Sequence, residues 1–93
     1  MDLRIRGKTA LITGGSRGIG LGAAKLLAEE GCNLHLVSRK QENLDAARQA
    51  ILAVHKVEVT CHAVDLSVSA DATRLARALK SVDILVNNAG SIP

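Results

Sequence analysis

Four short apolar runs, separated by three longer amphipathic stretches, constrain this 93-residue chain more than any other feature. The first run, Thr9-Ala10-Leu11-Ile12-Thr13, is too short for a helix and ends at Gly14-Gly15, so it reads as a buried strand. Over residues 18–30, Ile19, Ala23, Leu26 and Leu27 recur at helical spacing, and Gly31 is placed to stop that helix as a C-terminal cap. Asn33-Leu34-His35-Leu36-Val37-Ser38 reads as a second strand, and Ser38-x-x-Gln41 has the pattern of a capping box that opens the next helix. Leu44, Ala47, Ile51 and Val54 then share one helical face. Residues 57–64 alternate as a third strand, and Ser67 or Ser69 can cap a third helix whose inner face is Ala72, Leu75, Ala76 and Leu79. A fourth strand, Ile84-Leu85-Val86, runs into Asn87-Asn88-Ala89-Gly90.

The order βαβαβαβ predicts an α/β chain with a Rossmann-like parallel sheet, because a right-twisted strand and the helix after it pack back together only through right-handed crossovers. With strand order 3-2-1-4, a ligand site is expected at the carboxyl ends of the strands, between the first and the fourth, where the order reverses. Repeats, low-complexity segments and linkers are absent, so residues 1–93 read as part of a single domain. The chain has no Phe, Trp or Tyr, and its core must come from Leu, Ile, Val and Ala.

Composition narrows the partners. Lys and Arg number 12 against 9 acidic residues, a formal net charge of +3, but the basic residues are spread from Arg4 and Arg6 to Arg77 and Lys80. No run tracks a nucleic-acid backbone and no aromatic ring offers a stacking platform, which argues against nucleic acid. Cys32 and Cys61 fit neither a disulfide framework nor a zinc spacing, and they read as small buried residues on strands. No apolar stretch has the length of a signal peptide or a bilayer span, so a cytoplasmic chain with no membrane partner is expected. Of the three histidines, His35 and His62 fall in strands and His55 at a helix end, with core or surface roles expected and no catalytic or metal role.

Thr13-Gly14-Gly15-Ser16-Arg17-Gly18-Ile19-Gly20 joins the first strand to the first helix, which puts its backbone N–H groups at a helix N-terminus. Unpaired N–H groups and the positive end of the helix dipole attract phosphate there, and glycines permit positive φ and close approach of a diphosphate. Gly14 is expected to make the turn, Gly18 to admit the phosphates and Gly20 to let the helix lie against the strand, as in a dinucleotide-binding βαβ unit. A P-loop fails because Leu21 stands where its phosphate-binding lysine belongs. A methyltransferase-like use of the fold is expected to place an acidic residue after the second strand, and none is there.

That same position discriminates between the nicotinamide dinucleotides, since a carboxylate binds the ribose 2′-hydroxyl and repels a 2′-phosphate. Here the residues are Ser38-Arg39-Lys40, with Arg39 lying 19 residues beyond Gly20, and Arg17 can approach the same phosphate from the glycine turn. A charge-assisted hydrogen bond contributes about 1.5–3 kcal/mol, so one good arginine contact favours NADP(H) over NAD(H) by about tenfold or more.

With these residues in view, the chain resembles the N-terminal part of the short-chain dehydrogenases/reductases. Three motifs carry the likeness: Thr13-Gly14-x-x-x-Gly18-x-Gly20, Asp65-Leu66, and Asn87-Asn88-Ala89-Gly90. The resemblance implies a cofactor site of Gly14, Gly15, Ser16, Arg17, Gly18, Ile19, Gly20, Ser38, Arg39, Asp65, Leu66, Asn87, Asn88, Ala89 and Gly90. Within it, Asp65 accepts from the adenine amine, the N–H of Leu66 donates to the ring, and Asn87 and Asn88 tie the fourth strand to the glycine turn or line the ribose. It also implies a later Ser and a Tyr-x-x-x-Lys pair that move hydride between the nicotinamide and a carbonyl or alcohol carbon, in a protein that assembles as a homo-oligomer. None of those catalytic residues lies in these 93 residues, which are expected to be inactive alone and to self-associate or unfold in part. A chain that is itself the product, acting as a dinucleotide sensor or an inhibitory partner, is the alternative.

Overall fold

The computed structural model describes residues 4–14, 16–65, 67–79 and 81–88. Its elements run β1 (Thr9–Thr13), α1 (Gly18–Glu29), β2 (Asn33–Ser38), α2 (Gln41–Leu52), β3 (Val59–Ala63), α3 (Ser69–Ala78) and β4 (Ile84–Asn87). The four strands form one parallel sheet in the order β3-β2-β1-β4. Leu11 lies opposite both His35 and Leu85 in register, and Thr13 lies opposite both Val37 and Asn87.

Alternation along the strands divides the sheet into two faces. Ala10, Ile12, Leu34 and Leu36 point to one face and are sealed there by Ala24 and Ala28 of α1 and Leu44, Ala47 and Ile51 of α2. The two helices also touch each other. Because the third crossover runs back past β2 and β1, its right-handed path carries α3 to the opposite face. Leu75 of α3 is buried.

Helix α1 presents a different face from the one its apolar spacing predicts. Gly20, Ala24 and Ala28 are buried, whereas Ile19 is 82% exposed and Leu26 66% exposed. Small residues at i, i+4 and i+8 let the helix axis approach the sheet, and the bulkier neighbours are thereby rotated outward by about 100° per residue. Leu27 keeps the predicted inward position at the flank of the core.

The predicted ends differ in instructive ways. Helix α2 starts from Lys40 with no side-chain cap, so the Ser38-Gln41 capping box does not form; Gln41 Nε2 instead donates to Asp45 Oδ1 at 2.8 Å. Val54 lies past the end of α2 and is 74% exposed. Neither Ser67 nor Ser69 caps α3, whose N-cap is Val68, and Ala76 is exposed. Strand β3 is shorter than residues 57–64, because the N–H of Glu58 is taken by Asn33 Oδ1 at 3.0 Å. Cys32 precedes β2 instead of joining it: its N–H closes the end of α1 on the carbonyl of Leu27, while that of Gly31 (φ +88°) bonds Ala28. This pair of bonds is a Schellman motif with glycine at the left-handed position, as expected of Gly31. Cys61 is only half-buried on β3.

Candidate functional site

The carboxyl ends of β1, β2 and β4 and the N-terminus of α1 meet at the glycine turn, and the end of β3 lies beyond β2 on the same side of the sheet. Gly14 and Gly18 have φ of +67° and +56°, a region that side chains adopt at a cost. A Cβ on Gly18 would meet no atom within 4 Å, so the chain there is open to the outside. A Cβ on Gly20 would lie 2.0 Å from the carbonyl oxygen of Gly14 and 2.9 Å from Asn88 Nδ2. Helix and turn are therefore in direct backbone contact, with Asn88 against the same spot.

The start of α1 carries no side-chain cap: its N-cap, Arg17, is extended, and the first turn holds no acidic residue. Its first N–H groups thus keep the partial positive charge that a capping carboxylate or hydroxyl would otherwise offset. Two hydrogen bonds hold the turn against β2: Gly14 N donates to the carbonyl of Val37 at 2.9 Å, and Ser16 Oγ to Ser38 Oγ at 3.2 Å.

Across the turn, Thr13 Oγ1 donates to Asn87 Oδ1 at 2.9 Å and accepts from the N–H of Asn88 at 3.0 Å. One nine-tenths-buried hydroxyl thus locks the ends of β1 and β4. The first helical and strand motifs did not assign Thr13 this task. The signal available was a hydroxyl at the last position of an otherwise apolar strand, in register with an asparagine.

On the other flank, Arg17 and Arg39 are exposed. Asp65 lies beyond the end of β3, where its Oδ1 accepts from the N–H of Ser67 at 2.9 Å and from Ser67 Oγ at 2.7 Å. Those bonds, helped by the charge of Arg39, hold its carboxyl below the usual carboxylate range. Gly14, Ser16, Arg17, Gly18, Gly20, Ser38, Arg39, Asp65, Asn87 and Asn88 are accordingly brought to one end of the sheet, with Ile19 outermost on α1. Gly15, Leu66, Ala89 and Gly90 lie outside the described residues.

A parallel sheet of this order, with a glycine turn at its reversal point, defines a Rossmann-like α/β chain, and comparisons with known proteins sharpen that class. Residues 8–93 match the short chain dehydrogenase family. The chain belongs to that family and corresponds to an N-terminal portion of its members. It is similar to an oxidoreductase of Sarocladium schorii, 45% identical over an aligned stretch of 94 positions, gaps included, that covers 95% of this chain and 35% of that protein. It is also similar to the D-beta-hydroxybutyrate dehydrogenase of Cupriavidus necator, 42% identical over 91 residues, covering 92% of this chain and 34% of that one. Among solved structures, the L-sorbose reductase of Gluconobacter frateurii, complexed with NADPH and L-sorbose, superposes with a TM-score of 0.90 at 39% identity, over 98% of this chain and 36% of that one. A metagenomic short-chain oxidoreductase in complex with NADP gives 0.80 at 40% identity, over 92% of this chain and 40% of that one. The chain thus spans about a third of the length of the curated relatives it matches. Among the described residues, no helix is long and apolar enough to cross a membrane.

Proposed function

We propose that this chain grips the adenosine diphosphate end of NADP(H) for an oxidoreductase that moves hydride between the nicotinamide and a small carbonyl or alcohol substrate. The observation that carries the reading is the uncapped start of α1 beneath Gly18, whose missing side chain leaves room for a diphosphate against the N–H groups. In this reading the backbone of Gly14, Gly15, Ser16 and Gly18 and the edge of Ile19 surround the diphosphate, while Gly20 sets the depth of the helix. Arg39, with Arg17 from the turn and Ser38 beside it, takes the 2′-phosphate. Asp65 and Leu66 bind the adenine, and Asn87, Asn88, Ala89 and Gly90 line the ribose side. When bound, the cofactor supplies or accepts the hydride.

The whole of residues 1–93 serves as the dinucleotide-binding part of one domain. With no tyrosine in the sequence, it binds the nucleotide without reducing a carbonyl. NADP-bound solved relatives at 39–40% identity support the choice of cofactor. Homo-oligomeric assembly and a cytoplasmic setting accompany this reading.

Isothermal titration of the chain with NADPH and NADH tests it. NADPH should bind more tightly by about tenfold or more, the scale of one charge-assisted contact, and Arg39→Asp should narrow or reverse the difference. Equal affinities in the parent chain would remove the case for the phosphorylated cofactor, and NADPH-dependent carbonyl reduction by the purified chain would contradict the division of labour.

A further inference from the structure

On the sheet face turned away from α1 and α2, two imidazoles meet across adjacent strands. His35 of β2 lies opposite Thr60, and His62 of β3 lies opposite Val37, so the two rings sit diagonally on one face. Their facing nitrogens, Nδ1 of His35 and Nε2 of His62, are 2.9 Å apart, with ring centroids at 5.1 Å. Both rings are half-buried and remain in reach of water. As a hydrogen bond, the pair uses one lone pair and one proton between them.

We propose that His35 and His62 form a two-nitrogen site for a divalent transition-metal ion of the nickel and copper class, which staples the edge strand β3 to β2. Two metal–nitrogen bonds of about 2.0 Å at a right angle place their nitrogens about 2.9 Å apart, the separation this pair already has. Imidazole suits such borderline ions and discriminates against magnesium and calcium, which take oxygen ligands. For the ion to enter, the donor ring moves its proton to its remote nitrogen through solvent, and each ring then offers a lone pair; no charge is lost from the neutral pair. Glu58 lies on the same side of β3 by alternation, and its carboxylate favours positive charge at His35. Among the described residues, no group of three or more His, Cys, Asp or Glu could hold a metal, so water fills the other positions. The site is independent of the nucleotide reading, since it uses no residue of the glycine turn.

Nickel(II) titrated into the full chain, followed by calorimetry and thermal melting, should bind one ion per chain and raise the melting temperature. His62→Gln and His35→Gln should each weaken binding by more than about tenfold, the scale on which even outer partners of a ligand act. His55→Gln and Cys61→Ser should leave it unchanged. Binding that survives both ring substitutions, or that disappears with His55→Gln, would overturn the site, as would the absence of any binding. Should the ring variants fail to fold, cobalt(II) spectra of the parent chain decide: shifted, exchangeable N–H signals from two imidazoles support the site, and a thiolate charge-transfer band or a single ring refutes it.

Discussion

Gly20 packs so tightly on Gly14 that a Cβ at position 20 would sit 2.0 Å from the carbonyl oxygen of the turn. The obstructing atom is backbone, which moves only if the turn itself moves. Gly20→Ala, a favourable change in an unconstrained helix, should therefore destabilise the chain here by about 1–3 kcal/mol, as overpacking does. Urea unfolding measures this, with Gly22→Ala as the control. Gly22 has nothing within 4 Å of its Cβ position, so that substitution should be neutral or stabilising.

Thr13 joins two strands through a single hydroxyl. Thr13→Val keeps the shape but leaves Asn87 Oδ1 without this donor and Asn88 N without this acceptor. A loss of about 1–3 kcal/mol is expected from groups stranded in this way. Thr13→Ser, which keeps the oxygen, should recover most of it, and equal losses in the two variants would place the effect in packing instead.

The imidazole pair gives the folded chain a pH dependence of defined sign. Burial lowers both rings from 6.5, and His35 lowers His62 further, while Glu58 pulls His35 the other way. The unfolded chain therefore binds more protons than the folded one between the ordinary and the lowered values, and stability rises with pH across that window. The contribution is complete above the unfolded value of 6.5 and is lost as pH falls through the lowered values. Denaturation midpoints of parent and His62→Gln, compared from pH 8 to pH 5, should converge toward the acid end.

Leu26 tests the orientation of α1. At 66% exposure, its replacement by Gln should change stability by no more than about 0.5 kcal/mol. Replacement of fully buried Ala24 by Leu should be strongly destabilising. The opposite ranking would mean that the helix sits on the sheet as its apolar spacing alone suggests.

Those two residues also mark what was legible beforehand. The strands Thr9–Thr13 and Asn33–Ser38 could be read to the residue because glycine, a charged pair and alternation bound them on both sides, and the sheet has the expected strand order 3-2-1-4. The convergence of Gly14, Gly20, Asn87 and Asn88 at one end of the sheet followed from the same order. The face of α1 was legible only at Gly20 and Leu27; elsewhere hydrophobicity ranks Ile19 and Leu26 above Ala24, whereas the depth of contact with the sheet selects for smallness. The serine caps failed for a related reason: a hydroxyl has several partners in reach, and Ser38 and Ser67 found Ser16 and Asp65 instead of a helix end. The pairing of His35 with His62 needed the register of β2 and β3, which pattern alone does not supply.

The lock between Thr13 and the end of β4 spans 74 residues of sequence. A chain leaving the ribosome therefore exposes its glycine turn long before the asparagines that brace it have been made. Contacts of such separation are costly to close early, so the mouth of the turn should take its final shape last, after the α1–β2–α2 layer has already set. Pulse-labelled hydrogen exchange during refolding would register that order as late protection of Asn88, whose N–H closes the lock on Thr13, relative to Leu34 and Leu36.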